Sequence, residues 1–178
     1  GDLVIFLRTL SNGDYDDAGE PASWNNLGAD VLMLSPFQTD DDNLGWVTTT
    51  SQNELTSAVG AETAVVADEY DPIFAGVTIT AGSADLINDG IVYKAAQAAG
   101  LASSNLVGTA DTGSSVVLAR IPAGSAWNAS GAAGAPSGTH GGDRIVFNFL
   151  RNPGDMTDLT ADGKLVLKNA ITELLPND

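Results

Sequence analysis

Cysteine is absent, histidine occurs once, and lysine and arginine together number only 7 in 178 residues. Without cysteine there are no disulfides, no thiolate metal sites and no thiol nucleophile. So few cations leave no basic footprint for phosphate, which excludes nucleic acid as a partner. Anionic membrane surfaces are disfavoured for the same reason, and no apolar run approaches the ~20 residues of a membrane span. The length suits one domain, residues 1–178, that buries roughly 70% of its unfolded surface.

What the chain has in excess is acid: 23 Asp and Glu for a formal charge of −16. Aspartate supplies 18 of them and glutamate 5. Aspartate competes with the backbone for hydrogen bonds and collects in turns and caps, whereas glutamate is the usual solvating acid of helices. An Asp-heavy, Lys-poor chain suits exposure to salt or divalent cations, and the expected location is extracellular or at the cell surface. Residue 1 falls almost directly on a strand. The chain therefore reads as a mature product or as a domain of something longer.

Short continuous apolar runs mark strands covered on both faces: 3–7, 29–37, 62–68, 116–119 and 145–149. Residues 106–109 are expected to pair with 116–119 as a hairpin, since Asp111-Thr112-Gly113 is turn chemistry. Between the runs lie helical signals. Ser51 and Glu54 have the spacing of a capping box ahead of Leu55, Ala58 and Val59. Ile91, Val92, Ala95, Ala96 and Ala99 mark one face of a short helix. The clearest helix is the last, with Leu167, Ala170, Ile171, Leu174 and Leu175 at helical spacing behind Thr160 as N-cap. Strands alternating with helices predict an α/β fold with a mostly parallel sheet of about five strands. Two stretches depart from that unit. Residues 11–28 abbreviate the first βα unit to a helical turn near 23–27, and residues 122–142 read as a long loop over the surface.

Three segments in order are similar to a known family. Gly28 to Ser35 resembles the "gADvlvls" strand of class I glutamine amidotransferase-like domains of the ThuA-like type. Asp71-Pro72-Ile73-Phe74-Ala75-Gly76-Val77 resembles their "hPif.Gv" segment. Gly142 to Phe147, then Leu159 to Gly163 and Asn169-Ala170, resemble their closing strand and helix. The resemblance covers about two thirds of the chain. It implies a flavodoxin-like three-layer sandwich and, for many members, a non-catalytic module of a large secreted or surface-attached bacterial protein. The amidotransferase cysteine does not exist here, and Asp71 stands where the family commonly has histidine.

The remaining chemistry is read from the residues. A serine nucleophile needs a base, and the only imidazole is His140 in a glycine-rich loop, where a lone histidine is more often solvated than catalytic. No Gly-x-Ser-x-Gly elbow follows a strand. The first βα turn carries Asp14, Asp16 and Asp17 without a Gly-x-Gly, so it repels phosphate. The same turn begins like an EF-hand, but Ala18 and Asn25 occupy the fifth and twelfth ligand positions. Trp24, Trp46 and Trp127 are read as core or loop anchors before sugar platforms.

Ligands of parallel α/β sheets sit beyond the carboxyl ends of the strands. That rule gathers Asp14, Asp16, Asp17, Asp40, Asp41, Asp42, Asp68, Glu69, Asp71, Asp155 and Asp158 on one edge. The first ten are the expected metal ligands, with Ca2+ or another cation as their partner; the competing reading is ordinary polar loops. The leading functional expectation is a non-catalytic structural or interaction module of an extracellular bacterial protein, stabilised by cations and docking other domains or subunits. The alternatives are a self-associating subunit of a surface polymer and a secreted carbohydrate-binding or hydrolase domain that takes glycans.

Overall fold

The uninterrupted apolar runs form the centre of one large sheet. The computed structural model describes residues 2–7, 15–48, 52–56, 63–97, 101–110, 114–130, 134, 136–148 and 156–175. In chain order the strands are β1 (Leu3–Phe6), β2 (Asp30–Met33), β3 (Gln52–Thr56), β4 (Thr63–Val66), β5 (Ile79–Thr80), β6 (Ser83–Asp85), β7 (Val92–Gln97), β8 (Leu106–Ala110), β9 (Ser115–Ile121), β10 (Ala126–Asn128), β11 (Ser137–Thr139) and β12 (Arg144–Phe147). The α-helices among the described residues are α1 (Glu20–Asn25) and α2 (Ala161–Leu174).

Ten strands share the main sheet, ordered β1-β2-β12-β9-β8-β4-β6-β5, with β7 attached to β9 and β3 to β7. β2 lies parallel to both β1 and β12, placing Val31 opposite Val4 on one side and Arg144 on the other. Every other pairing in the sheet is antiparallel. The expected flavodoxin-like, mostly parallel five-strand sheet is therefore overturned.

Two sequence signals caused the error. The segment after Ser51, read as a helix behind a capping box, is β3, and the Ile91–Ala99 face is largely β7. Both segments pair over five positions, Gln52↔Ala96 through Thr56↔Val92. Small alanines at helical spacing also suit a strand buried on both sides. Tyr93 and Ala95 join the apolar cluster on one face of the sheet and Ala96 joins the cluster on the other. Pairing and burial override a weak local propensity. The β8–β9 hairpin forms as expected, and its turn residues 111–113 lie outside the described residues, as does Ser51.

Alternation along the central strands divides the core. Leu32, Ile145 and Phe147 point to the face covered by α2, where they meet Val166, Leu167 and Ala170. Val31, Met33 and Val146 point to the other face, against Leu44, Trp46 and Val47 of the segment after β2 and beside Trp24 of α1. The 122–142 stretch is more than a surface loop. It contains the β10–β11 hairpin, whose Trp127 and Ala129 form a small third cluster with Ala22 of α1.

α2 starts where the sequence placed it. Thr160 Oγ1 accepts from Gly163 N at 2.9 Å and donates to Asp85 O at 2.8 Å, so the cap also fastens the helix to β6. Gly163 packs so closely that a Cβ there would overlap the Leu86 carbonyl. Helix propensity alone makes Gly163→Ala stabilising by about 1 kcal/mol. The overlap reverses that sign, and we expect urea unfolding to show a loss of about 1–3 kcal/mol.

Candidate functional site

Strand directions decide where the acids go. β9 runs against β12, β8 against β9, and β4 against β8, so β4 points opposite to β1, β2 and β12. Asp68, Glu69 and Asp71, which follow β4, therefore lie at the end of the sheet where β2 and β12 begin. The residues following β1 and β2 leave from the other end. The single acidic edge expected from a parallel sheet is divided between two.

Most of the expected ligands have other tasks or none in common. Asp14 and Asp155 lie outside the described residues. Asp16 and Asp17 are exposed, and the Asp17 N–H donates to Glu20 Oε2 at 3.2 Å. Asp40 is fully buried beneath the turn that follows β2, and its carbonyl accepts from Gly45 N at 2.7 Å. Asp41 accepts from Ser130 N at 3.2 Å and from Ser130 Oγ at 2.6 Å, tying that turn to the hairpin segment. Asp42 is half-buried, and Glu69 is exposed. Asp68 Oδ1 accepts from Tyr70 N at 2.9 Å, closing its own turn. Asp158 is buried in the 3-10 turn Met156–Asp158. Among the described residues, no three His, Asp or Glu side chains converge as a metal-holding group.

Asp71 instead belongs to an ion-pair junction. Its Oδ1 caps the 3-10 turn Pro72–Phe74 by accepting from Ile73 N at 2.9 Å. The same carboxylate takes both prongs of Arg120 from β9, Nε to Oδ2 at 2.9 Å and Nη2 to Oδ1 at 2.6 Å. Arg120 Nη1 pairs with Glu173 at the end of α2. Burial opposes the Arg120 charge, but the hydrogen bonds and charges of Asp71 and Glu173 outweigh it, and the pKa rises. Beside this junction opens a cleft of about 220 Å³. Arg120 and Pro122, Asp143 and Arg144, and Glu173 and Leu174 form its walls.

Arg144 is the second internal cation, 1% exposed. Its Nη1 donates to Ala29 O at 2.8 Å, and its Nη2 donates to Asn25 O and Leu27 O at 3.0 Å each. Burial lowers its pKa, opposed by the charges of Asp30 and Asp143. His140, expected to be solvated, is 2% exposed. Its ring meets Trp46 edge-on at 5.4 Å, and neither ring nitrogen has a hydrogen-bond partner. Burial and then the nearby Arg144 charge push its pKa down to about 4.

Sequence reasoning missed both arginines. The available signal was their setting: two of 7 basic residues stand inside apolar strand runs, Ala119-Arg120-Ile121 and Arg144-Ile145-Val146. A scarce cation inside a buried run has to find partners within the fold.

The chemistry open to these groups is narrow. No hydroxyl is hydrogen-bonded to the imidazole, so the described residues hold no nucleophile–base pair of the serine-hydrolase kind. In the cleft, Glu173 is committed to Arg120 and Asp143 Oδ1 accepts from Ala123 N at 2.8 Å. In comparisons with known proteins, no family model, no curated protein and no solved structure matches this chain. A double-mutant cycle with Asp71→Ala and Arg120→Met should give a coupling of about 1–2 kcal/mol. That is less than a fully buried pair, because the Arg120 side chain is 28% exposed. Urea midpoints at low and high salt check both the size and its screening.

Proposed function

We propose that this chain is a non-catalytic structural or interaction module of an extracellular bacterial protein, presenting an acidic exterior to cations and to a cationic partner domain or subunit. One observation carries the reading: the segments behind the family resemblance serve the fold. Gly28–Ser35 contains β2, Gly142–Phe147 contains β12, and the two are adjacent in the sheet. The 71–77 segment meets the closing one through Asn169 of α2, whose Nδ2 donates to Ile73 O and Ala75 O at 3.0 Å each. Asp71, Thr160 and Gly163 are likewise committed to capping and close packing.

The exterior follows from the composition. Arg144 is buried, but so are Asp40 and Asp158, and Arg120 is paired with Asp71 and Glu173, so the outside keeps the strong acidity that the net charge of −16 implies. Such a surface repels itself and favours cations. Titration calorimetry with a lysine-rich peptide should detect binding at low salt that weakens steeply as sodium chloride is added. Calcium at matched ionic strength separates two forms of the idea. A rise in Tm of several degrees above the sodium chloride control marks a specific Ca2+ site, and an equal rise marks general screening. Absence of peptide binding at low salt sinks the interaction reading.

A second reading, self-association, is favoured by β1. It is the outermost strand at its end of the sheet. Its run Leu3-Val4-Ile5-Phe6-Leu7 carries no charge, and Ile5 and Leu7 are 43% and 58% exposed. Uncharged edge strands template pairing with another chain. Sedimentation velocity in calcium should then show dimers or larger species that Ile5→Lys abolishes, whereas a monomer under all conditions removes this reading.

A further inference from the structure

The β10–β11 hairpin is a satellite of the fold. It forms its own two-stranded sheet, separate from the ten-stranded one. Its buried side chains, Trp127 and Ala129, form a cluster distinct from the two main cores. Among the described residues, hydrogen bonds at its two flanks attach it to the body, including Ala123 N to Asp143 Oδ1 at 2.8 Å. Asn128 N donates to Gly45 O at 3.1 Å, Ser130 bonds Asp41, and Gly141 N donates to Asn25 O at 2.9 Å. His140 closes the base of the hairpin, with its N–H donating to Ser125 O at 2.9 Å and its carbonyl accepting from Gly124 N at 2.8 Å. Its ring fills the joint, edge-on to Trp46, whose Nε1 donates to Asn25 Oδ1 at 2.5 Å.

We propose that His140 is a proton-operated latch: neutral, it seals the β10–β11 hairpin and the 40–48 turn onto the sheet, and protonation releases them while the sheet and α2 stay folded. The joint has no means of holding an imidazolium. Both ring nitrogens lack a partner, so neither N–H of the charged ring would find an acceptor, and a buried unpaired charge is costly. The charged groups on the surrounding elements do not relieve it. Arg144 of β12 repels the cation and is the charge that acts on the ring. The acids on the surrounding elements, Asp40, Asp41 and Asp42 on the Trp46 segment, Glu20 on α1 and Asp143 beside Arg144, do not keep its pKa from falling. The hairpin strands themselves contribute no titratable side chain.

Linkage fixes the direction. The imidazole titrates at about 4 when sealed against 6.5 when free, so the open state binds the extra proton and gains population as pH falls below 6.5. Between those limits the opening equilibrium shifts by up to about 300-fold. Local units with few contacts open ahead of the global transition.

An acid titration of the whole chain, followed by tryptophan emission and by far-ultraviolet circular dichroism, tests this. Trp46 and Trp127 are 7% and 2% exposed, so opening should red-shift emission at a higher pH than the loss of secondary structure. In His140→Phe, which fills the joint without titrating, the early emission step should disappear while the later transition remains. His140→Gln supplies a second non-titrating ring replacement if phenylalanine misfolds. Peptide-resolved hydrogen exchange should localise the early step to 36–48, 122–130 and 136–142, leaving 161–174 protected. Coincident emission and dichroism transitions in the parent protein, or an unchanged early step in either variant, overturn the latch.

Discussion

One buried guanidinium organises the junction on which the central strands depend. Arg144 stands at the first position of β12 and sends its donors backward, to the carbonyls of Asn25, Leu27, Ala29 and its neighbour Asp143. The first three belong to the end of α1 and to the connector that feeds β2. A six-residue helix cannot stabilise itself, and a guanidinium at its carboxyl end complements the unpaired carbonyls there. The approach is close. A Cβ at Gly141 would overlap the Asn26 and Leu27 carbonyls, and one at Gly142 would overlap Ala29. Asp143 N then donates to Asp30 Oδ1 at 2.8 Å, which aligns β12 on β2 in parallel register. Arginine meets this demand because its planar fork serves several carbonyls at once, a geometry the single ammonium of lysine cannot reproduce.

The same logic governs Arg120 at the antiparallel side of β12. There the partners are carboxylates rather than carbonyls, and they come from elements far apart in the chain, the turn after β4 and the end of α2. The two arginines line one cleft and differ in consequence. Arg144 is held by dipoles and its charge is opposed by burial, whereas Arg120 is held by charges that overcome burial. The inward cations are matched by inward acids, Asp71 and Glu173 on Arg120 and the buried Asp40 and Asp158, so the acidic exterior follows from the composition.

How much of this was legible in the sequence varies with the physical signal. Long apolar runs gave β1, β2, β4, β9 and β12, because burial on both faces leaves an unbroken pattern. α2 was legible with its cap, since Thr160 and the 3.6-residue spacing agree. β3 and β7 were not. Alanine and glutamate favour helices locally, and nothing near residues 52–56 announces a partner some forty positions later. Strand direction was equally hidden. Apolar runs report burial and carry no sign, so the parallel order of the β1-β2-β12 trio was extended in error to β9 and the strands beyond it. That one inference moved Asp68, Glu69 and Asp71 to the wrong end of the sheet. His140 failed for a related reason, because a glycine-rich neighbourhood looks like solvent-exposed loop even where the glycines exist to permit close packing.

Motif resemblance and fold class separate cleanly at β2, β12 and α2. The residues that carry the resemblance answer local backbone demands. Asp71 caps a 3-10 turn, Thr160 caps a helix, Gly163 admits a carbonyl, and Asn169 joins α2 to the capped turn. Each demand is a local one, met by a backbone group or a single side chain, and none specifies the direction of the strands beyond β12. An antiparallel β9 can therefore succeed β12 without disturbing any of them. Asp71 makes the point most directly. A carboxylate there serves the 3-10 cap and at the same time gives β9 a reason to carry Arg120. The Asp71 side chain is thus engaged by the strand that makes the sheet antiparallel.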